Sequence, residues 1–390
     1  MNNICAAPLR ILVTGAAGLI GRELCAVLAD RGHAVAALVH RSRTLARNDG
    51  TPLALRSWDG AFLPGTIAVV AGDVAESQLG LPPVAAAALS QGLDLIVHCA
   101  AVTGFALPPA TYARVNAGGT AAVLAFAAQG GPRGSQAVLH VSTAYVCGDA
   151  DGTIPESQVH APRFNNGYEA SKAAGEALVL AAHASGQRCA VARPSIVVGR
   201  SSDGVIGEFG NLYQLIRVVT EGRVRQLPAA PNASLDMVPI DHVVGALVDI
   251  AERMDQADGQ IFHLVSGHPV PVAALRPLAQ AFPHLDAPSF VDPATFDPTR
   301  LTPRERRMNA QVTERYACYL RRDPRFVTAN LRALSGRTCP ATDDAFLRRM
   351  IAHGIAAGFL RSPDDAGATL SARAGRTGPG FAVPPMPSAR

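Results

Sequence analysis

The chain has 390 residues, long enough for one large domain with a smaller addition. Hydrophobic residues make up 48% and charged residues 17%, a globular balance, and a formal charge of +4 gives no argument for a nucleic-acid partner. The seven cysteines form no C-x-x-C pair and the histidines no H-x-x-H, so neither a disulfide frame nor a metal site is expected, and scattered thiols suit a cytoplasmic chain.

No apolar run approaches the length of about 20 residues that crosses a bilayer. The N-terminal apolar run, Ile11 to Val13, reads as a first strand rather than a signal peptide. It leads into Thr14-Gly15-Ala-Ala17-Gly18-Leu19-Ile20-Gly21-Arg22. The apolar spacing of Leu19, Ile20, Leu24, Val27 and Leu28 then predicts a helix. Strand, glycine turn and helix make a phosphate-binding device. Glycine lets backbone N–H groups approach a pyrophosphate, and the helix N-terminus favours the anion. Arg22, just after the third glycine, is a second candidate for a phosphate.

Ala34 to Val39 predicts the next strand, ending in His40-Arg41-Ser42-Arg43. An acidic residue here would bind the ribose 2′-hydroxyl of NAD. Arg41 instead offers a guanidinium fork suited to a 2′-phosphate, which favours NADP(H). Residues 44–65 read as a loop. Thr66 to Ala71 predicts a third strand, closed by Gly72-Asp73-Val74. Asp73 is placed to accept from an adenine amino group, or to close a turn. A fourth strand, Asp94 to His98, runs into the small residues Cys99-Ala100-Ala101, past which a ribose can come close to the backbone. A helix over Pro109 to Ala128 carries Asn116, and Ala137 to Val141 is the next strand. Alternation of this kind predicts an α/β fold, a Rossmann-type doubly wound parallel sheet with helices on both faces.

The strand end Ser142-Thr143-Ala-Tyr145 exposes hydroxyls. Downstream, Tyr168 and Lys172 lie four residues apart, on one face of a helix. A phenol is a poor proton donor near neutrality unless tuned, and an adjacent ammonium lowers its pKa. A carbonyl held between Thr143 and Tyr168 would take a proton at oxygen as hydride reaches carbon.

In this order Thr14-Gly15-x-x-Gly18-x-x-Gly21, Gly72-Asp73-Val74, His98-Cys-Ala-Ala101, Asn116, Ser142-Thr143, Tyr168-x-x-x-Lys172 and Arg193-Pro194-Ser195 resemble an extended short-chain dehydrogenase/reductase over residues 9–265. The resemblance implies Tyr168 as acid/base and Lys172 as the group that tunes it and binds the nicotinamide ribose. It implies Thr143 as the hydroxyl that polarises substrate. Asn116 would complete a proton relay or brace the central helix. Ala17, Leu19, Ile20, Val74, Ala100 and Ala101, with Pro194, Ser195 and Ile196 at a later strand end, would contact the cofactor. More narrowly, Val141-Ser-Thr-Ala-Tyr-Val146, Ala192-Arg-Pro-Ser-Ile-Val-Val-Gly199, Leu235-Asp-Met-Val-Pro-Ile-Asp241 and Phe262-His-Leu-Val-Ser266 are similar to the fatty acyl-CoA reductase and carrier-protein thioester reductase (male sterility-like NAD-binding) branch.

On this reading residues 1–200 form the NADP-binding Rossmann domain, with 236–266 returning to it. Residues 201–235 and 267–361 form a smaller, mostly helical substrate region. Residues 362–390, rich in Gly, Pro, Ser and Ala, are expected to be a disordered tail. Eight prolines between 268 and 303 predict an irregular connector or lid. Thr302-Pro303 predicts a helix start, and that helix with its sequel carries Arg304, Arg306, Arg307, Arg315, Arg321 and Arg322. These basic residues either meet the phosphates of coenzyme A or of a phosphopantetheine carrier, or form a solvated face. The expected function is NADPH-dependent reduction of an acyl thioester, acyl-CoA or carrier-bound, to aldehyde and, with a second hydride, alcohol. Reduction of a small ketone or alcohol, chemistry on a nucleotide sugar, and a non-catalytic NADP-binding protein remain the alternatives. An oligomer stays open.

Overall fold

The computed structural model describes residues 7–42, 44–130, 134–158, 161 and 163–365. Its centre is an eight-stranded sheet: β1 (Arg10–Thr14), β2 (Ala34–Val39), β3 (Leu55–Ser57), β4 (Ile67–Ala71), β5 (Leu95–His98), β6 (Ala137–Val141), β7 (Cys189–Pro194) and β8 (Ile261–Leu264). The order in space is β8-β7-β6-β5-β1-β2-β4-β3, and every pairing is parallel. The order reverses between β1 and β5. At such a switch point the chain leaves two neighbouring strand ends in opposite directions and opens a crevice at the carboxyl edge.

Parallel strands buried on both faces should read as continuous apolar runs, and these do. Ile11 and Val13 point to one face, where Leu24 of α1 (Leu19–Asp30) packs. Leu12 points to the other, against Leu89 of α2 (Pro83–Gly92), Val123 and Phe126 of α3 (Gly119–Ala128) and Val179 of α4 (Gly167–Ala184). Preceding α3, Pro109–Tyr112 and a π-helical turn, Ala113–Gly118, run into it without a break. The carboxyl half adds α5 (Asn211–Thr220), α6 (Ile240–Glu252), α7 (Pro303–Tyr316) and α8 (Asp344–Ala356). α6 returns to the sheet, where Val243, Leu247 and Ile250 join the α1 face. α5, α7 and α8 enclose a second core around Leu212, Leu215, Val312, Phe346, Met350 and Ile351.

Three local expectations need correction or completion. The expected loop 44–65 contains β3, a half-exposed edge strand paired on one side only. Three residues without an apolar run carry no strand signal of their own. The proline-rich stretch, expected as an irregular connector or lid, is tied into the second core as a connector. Val272 and Leu278 are buried in the second core, and Ser289–Val291 pairs in parallel with Gln226–Pro228. Thr302 does start α7, through a capping box closed with Glu305. Most of the expected tail, residues 366–390, lies outside the described residues. No described helix is long and apolar enough to cross a membrane.

One charge pair is buried completely. Arg193, on β7, is 0% exposed and makes a two-pronged ion pair with Glu176 of α4, while its other amine lies 3.4 Å from His263 of β8. Removing one partner strands the other charge in the core. Glu176→Ala should therefore lose about 3–5 kcal/mol of stability in denaturant unfolding; a loss under about 1 kcal/mol would show that water reaches Arg193.

Candidate active site

The first part of the site is the glycine turn at the β1 end. Gly15 has φ +65°, the left-handed region, and a Cβ there would stand 2.7 Å from the Ala100 Cα at the β5 end. A Cβ on Gly21 would strike the Gly15 carbonyl oxygen. The turn thus brings backbone where any side chain would block it. Gly18 caps α1 without a side-chain hydrogen bond, and no acidic residue occupies the first helical turn. The leading N–H groups of α1 therefore face the cleft with a favourable dipole, and the fit to a pyrophosphate follows from that cradle. Arg22 is held at the turn. Its guanidinium donates to the carbonyls of Ala17 (2.9 Å) and Gly18 (3.2 Å) and pairs with Glu208.

At the β2 end Arg41 is exposed and has no ion pair among the described residues, whereas His40 stands 3.6 Å from Asp73. Arg43 lies outside the described residues. Asp73 closes a turn, its Oδ1 accepting from the Ala75 N–H at 2.9 Å. Beside it Val74 is buried against Gly119.

The chemistry-bearing part sits across the switch point. Thr143 follows β6; its hydroxyl donates to the Pro194 carbonyl (3.4 Å) and accepts from the Tyr145 N–H (3.3 Å). Asn166 caps α4 by accepting from the Glu169 N–H, which places Tyr168 in the first turn. Asn116 braces that helix. Its amide oxygen accepts from Val102 N–H at 2.8 Å, and its amide nitrogen donates to the Val102 carbonyl and to the Ser171 hydroxyl. With these bonds made, the Asn116 side chain serves as a brace between the β5 end and α4.

Lys172 is 3% exposed and its ammonium donates to the Val141 carbonyl at 2.7 Å. Burial lowers its pKa to about 8. Burial also pushes the Tyr168 phenol up to about 12, against the pull of a hydrogen bond with Thr143. The expectation that Lys172 lowers the tyrosine is not met here. The ammonium is turned to a backbone carbonyl, and the loss of water around the ring outweighs the bond from Thr143. The Tyr168 phenol therefore keeps its proton.

These groups share one cleft of about 390 Å³ that also takes in Gly15, Gly18, Leu19, Ile20, Gly21, Ala101, Pro194, Ser195 and Ile196. Ala100 flanks it through the Gly15 contact. Sequence reading missed the far wall. Phe105 lies 6.3 Å from the Tyr168 ring and stacks on Tyr319 at 5.8 Å; Tyr145 meets Tyr319 edge-on at 5.0 Å, and Tyr316 completes the wall. Buried Glu169 anchors it by accepting from the Tyr319 hydroxyl at 2.7 Å. The Asn166-x-x-Glu169 spacing was a readable cap signal, but nothing in sequence ties either residue to Tyr319. Ser142 also lines the cleft, its hydroxyl buried without a partner in the described protein. Among the described residues no cluster of metal ligands occurs.

The family model described as Male sterility protein matches residues 13–247. Glycine betaine reductase ATRR of Emericella nidulans is 29% identical over 277 residues, 67% of this chain and 21% of that protein. The chain thus spans about a fifth of the length of curated relatives of this kind. Among solved structures, the terminal R domain of the myxalamid PKS-NRPS pathway superposes with a TM-score of 0.76 at 24% identity, over 92% of this chain and 93% of that one. A thiolation-reductase di-domain from an archaeal non-ribosomal peptide synthetase superposes at 0.68 and 17% identity, over 90% and 76%.

The buried ammonium has a stability cost whose pH dependence is fixed in sign. Lys172 titrates at about 8 in the folded chain against 10.5 unfolded, so folding expels a proton between those values and stability rises with pH there. Lys172→Met should be more stable than the parent below pH 8, by on the order of 1–3 kcal/mol. That advantage should shrink as pH rises from 8 toward 10.5 in parallel denaturant titrations. A constant difference across this window would place the ammonium in water.

Proposed function

The chain belongs to the Male sterility protein family, NAD-binding oxidoreductases of the extended short-chain dehydrogenase/reductase kind, and from that premise we propose that it is an NADPH-dependent reductase of acyl thioesters. The observation that carries the reading is the meeting, in one cleft, of the glycine turn with Thr143, Tyr168 and Lys172, beneath an aromatic wall. The likeness to reductase domains of thioester-templated assembly lines gives the thioester class its support.

The nicotinamide dinucleotide, when bound, supplies the hydride. The chain's own residues do the rest. Gly15, Gly18 and Gly21 with the α1 N-terminus hold the pyrophosphate, and Arg41 takes the 2′-phosphate. Lys172 binds the ribose nearest the reacting carbon. Thr143 and Tyr168 hold the substrate carbonyl oxygen, and the protonated phenol gives it a proton as negative charge develops. The hemithioacetal so formed breaks its C–S bond as its hydroxyl proton passes to the departing thiolate, so thiol and aldehyde are the products. Phe105, Tyr316 and Tyr319 keep water away from the acyl side.

Incubation with NADPH and acyl thioesters, following absorbance loss and free thiol together, tests the reaction class. Cofactor oxidation without thiol release would overturn it in favour of a ketone substrate. Tyr168→Phe should lower kcat about 100-fold or more with dinucleotide affinity nearly intact. Arg41→Ala should weaken NADPH about tenfold while leaving NADH unchanged, the loss of one charge-assisted contact. Equal losses for both cofactors would remove the 2′-phosphate role.

A further inference from the structure

Five of the six arginines singled out between residues 304 and 322 separate into two kinds. Arg322 is buried and donates to the carbonyls of Gly148, Ala150 and Cys318. Arg306 donates to the carbonyls of Pro298, Thr299 and Leu301, bracing the turn before α7. These two are structural. Arg304, Arg307 and Arg315 are exposed, and none has an ion pair among the described residues. On a helix of 3.6 residues per turn, positions 304, 307, 311 and 315 fall within an arc of about 80°. Asn309, Val312 and Tyr316 on the opposite side are buried, so the arc faces outward. Glu314 is the one acid at its margin, and Glu305 is spent on the cap. Between 303 and 321 five arginines stand against two glutamates, a large share of a net charge of only +4.

The stripe has a direction. Arg315 precedes Tyr316 in the chain, and Tyr316 turns to the buried side of the helix, where it lines the cleft with Tyr319 and Leu320. Arg304 lies about 16 Å further along the helix axis. Unpaired cations on the outer face of a helix whose inner face reaches the cleft wall attract an acidic surface to that side of the cleft.

Building on the thioester reading, we propose that Arg304, Arg307 and Arg315 form the docking face for an acidic acyl carrier protein, whose phosphopantetheine arm then enters past Tyr316. Such contacts on an exposed rim act on encounter and affinity, leaving the chemistry to the cleft.

The test compares one acyl group on three thiols: an acyl carrier protein, coenzyme A and N-acetylcysteamine. The R304E/R307E/R315E variant should lose at least about tenfold in kcat/KM for the carrier-bound acyl group, through KM. It should keep the parent's kcat/KM for the N-acetylcysteamine thioester, which also shows that the fold and the cleft are intact. The triple alanine variant should lose less, and added salt should weaken the parent's carrier reaction alone. An unchanged carrier reaction overturns the proposal, and so does a loss of equal size with coenzyme A, which would assign the stripe to coenzyme A phosphates. Equal losses on all three thiols overturn it as well. A parent that reduces none of the three overturns the thioester reading itself.

Discussion

Everything at this site depends on how closely two strand ends approach. β1 and β5 are neighbours at the switch point, and the missing Cβ of Gly15 lets its backbone rest on Ala100. That contact is reinforced from beneath. The Thr14 hydroxyl lies 2.7 Å from His98 Nδ1, His98 Nε2 lies 3.2 Å from the Thr120 hydroxyl, and Thr120 donates to the Asn116 carbonyl at 2.7 Å. Asn116 then bonds Ser171 on α4. A continuous polar chain thus runs from the glycine turn to the helix carrying Tyr168 and Lys172. Buried hydrogen-bond chains specify geometry because each broken link leaves an unpaired group in the core.

Holding the site in this way means putting ionisable groups where they are least stable in charged form. Burial drives His98 down to about 3 and His140 in the same direction, so both rings are neutral, and the nearby Lys172 charge adds to the effect. The lysine is the exception, kept cationic up to about pH 8 in the same interior. A group retained against its own stability has a use that a packed methionine would not serve. Tyr168 is shifted the other way, and burial holds its phenol in the protonated state.

Sequence made the inner half of this architecture readable. The glycine spacing, the strand Ala34–Val39 and the strand Ala137–Val141 needed only local signals, namely apolar runs bounded by turns. Thr302 and Pro303 announced their helix by a cap and first-turn signal that acts within a few residues. What escaped was decided at long range. β3 exists because β4 offers an open edge, and its own residues say little. Phe105, Tyr145 and Tyr319 are far apart in the chain and meet only because the carboxyl half folds back across the β6 end. The Lys172–Tyr168 electrostatics escaped for a related reason: spacing puts both on one face, but the Val141 carbonyl that takes the ammonium comes from the sheet.

The carboxyl half is consequently more than a cover. Phe326 follows Arg325 in a short strand that pairs with Gly152–Ile154, just past the Thr143 turn. Glu156 accepts from the backbone N–H groups of His263 and Asn330, joining β8 to the start of the helix Ala329–Ser335. Arg322 and Tyr319 reach back to Gly148 and Glu169 on either side of the Tyr168 cap. The links from Arg322 and Tyr319 end on segments beside Thr143 and Tyr168. The aromatic wall therefore also holds Tyr168 in place, so a change at Tyr319 acts on the cap of α4 at the same time. Cleft wall and helix cap share residues here, and a chain of this design cannot vary one without moving the other.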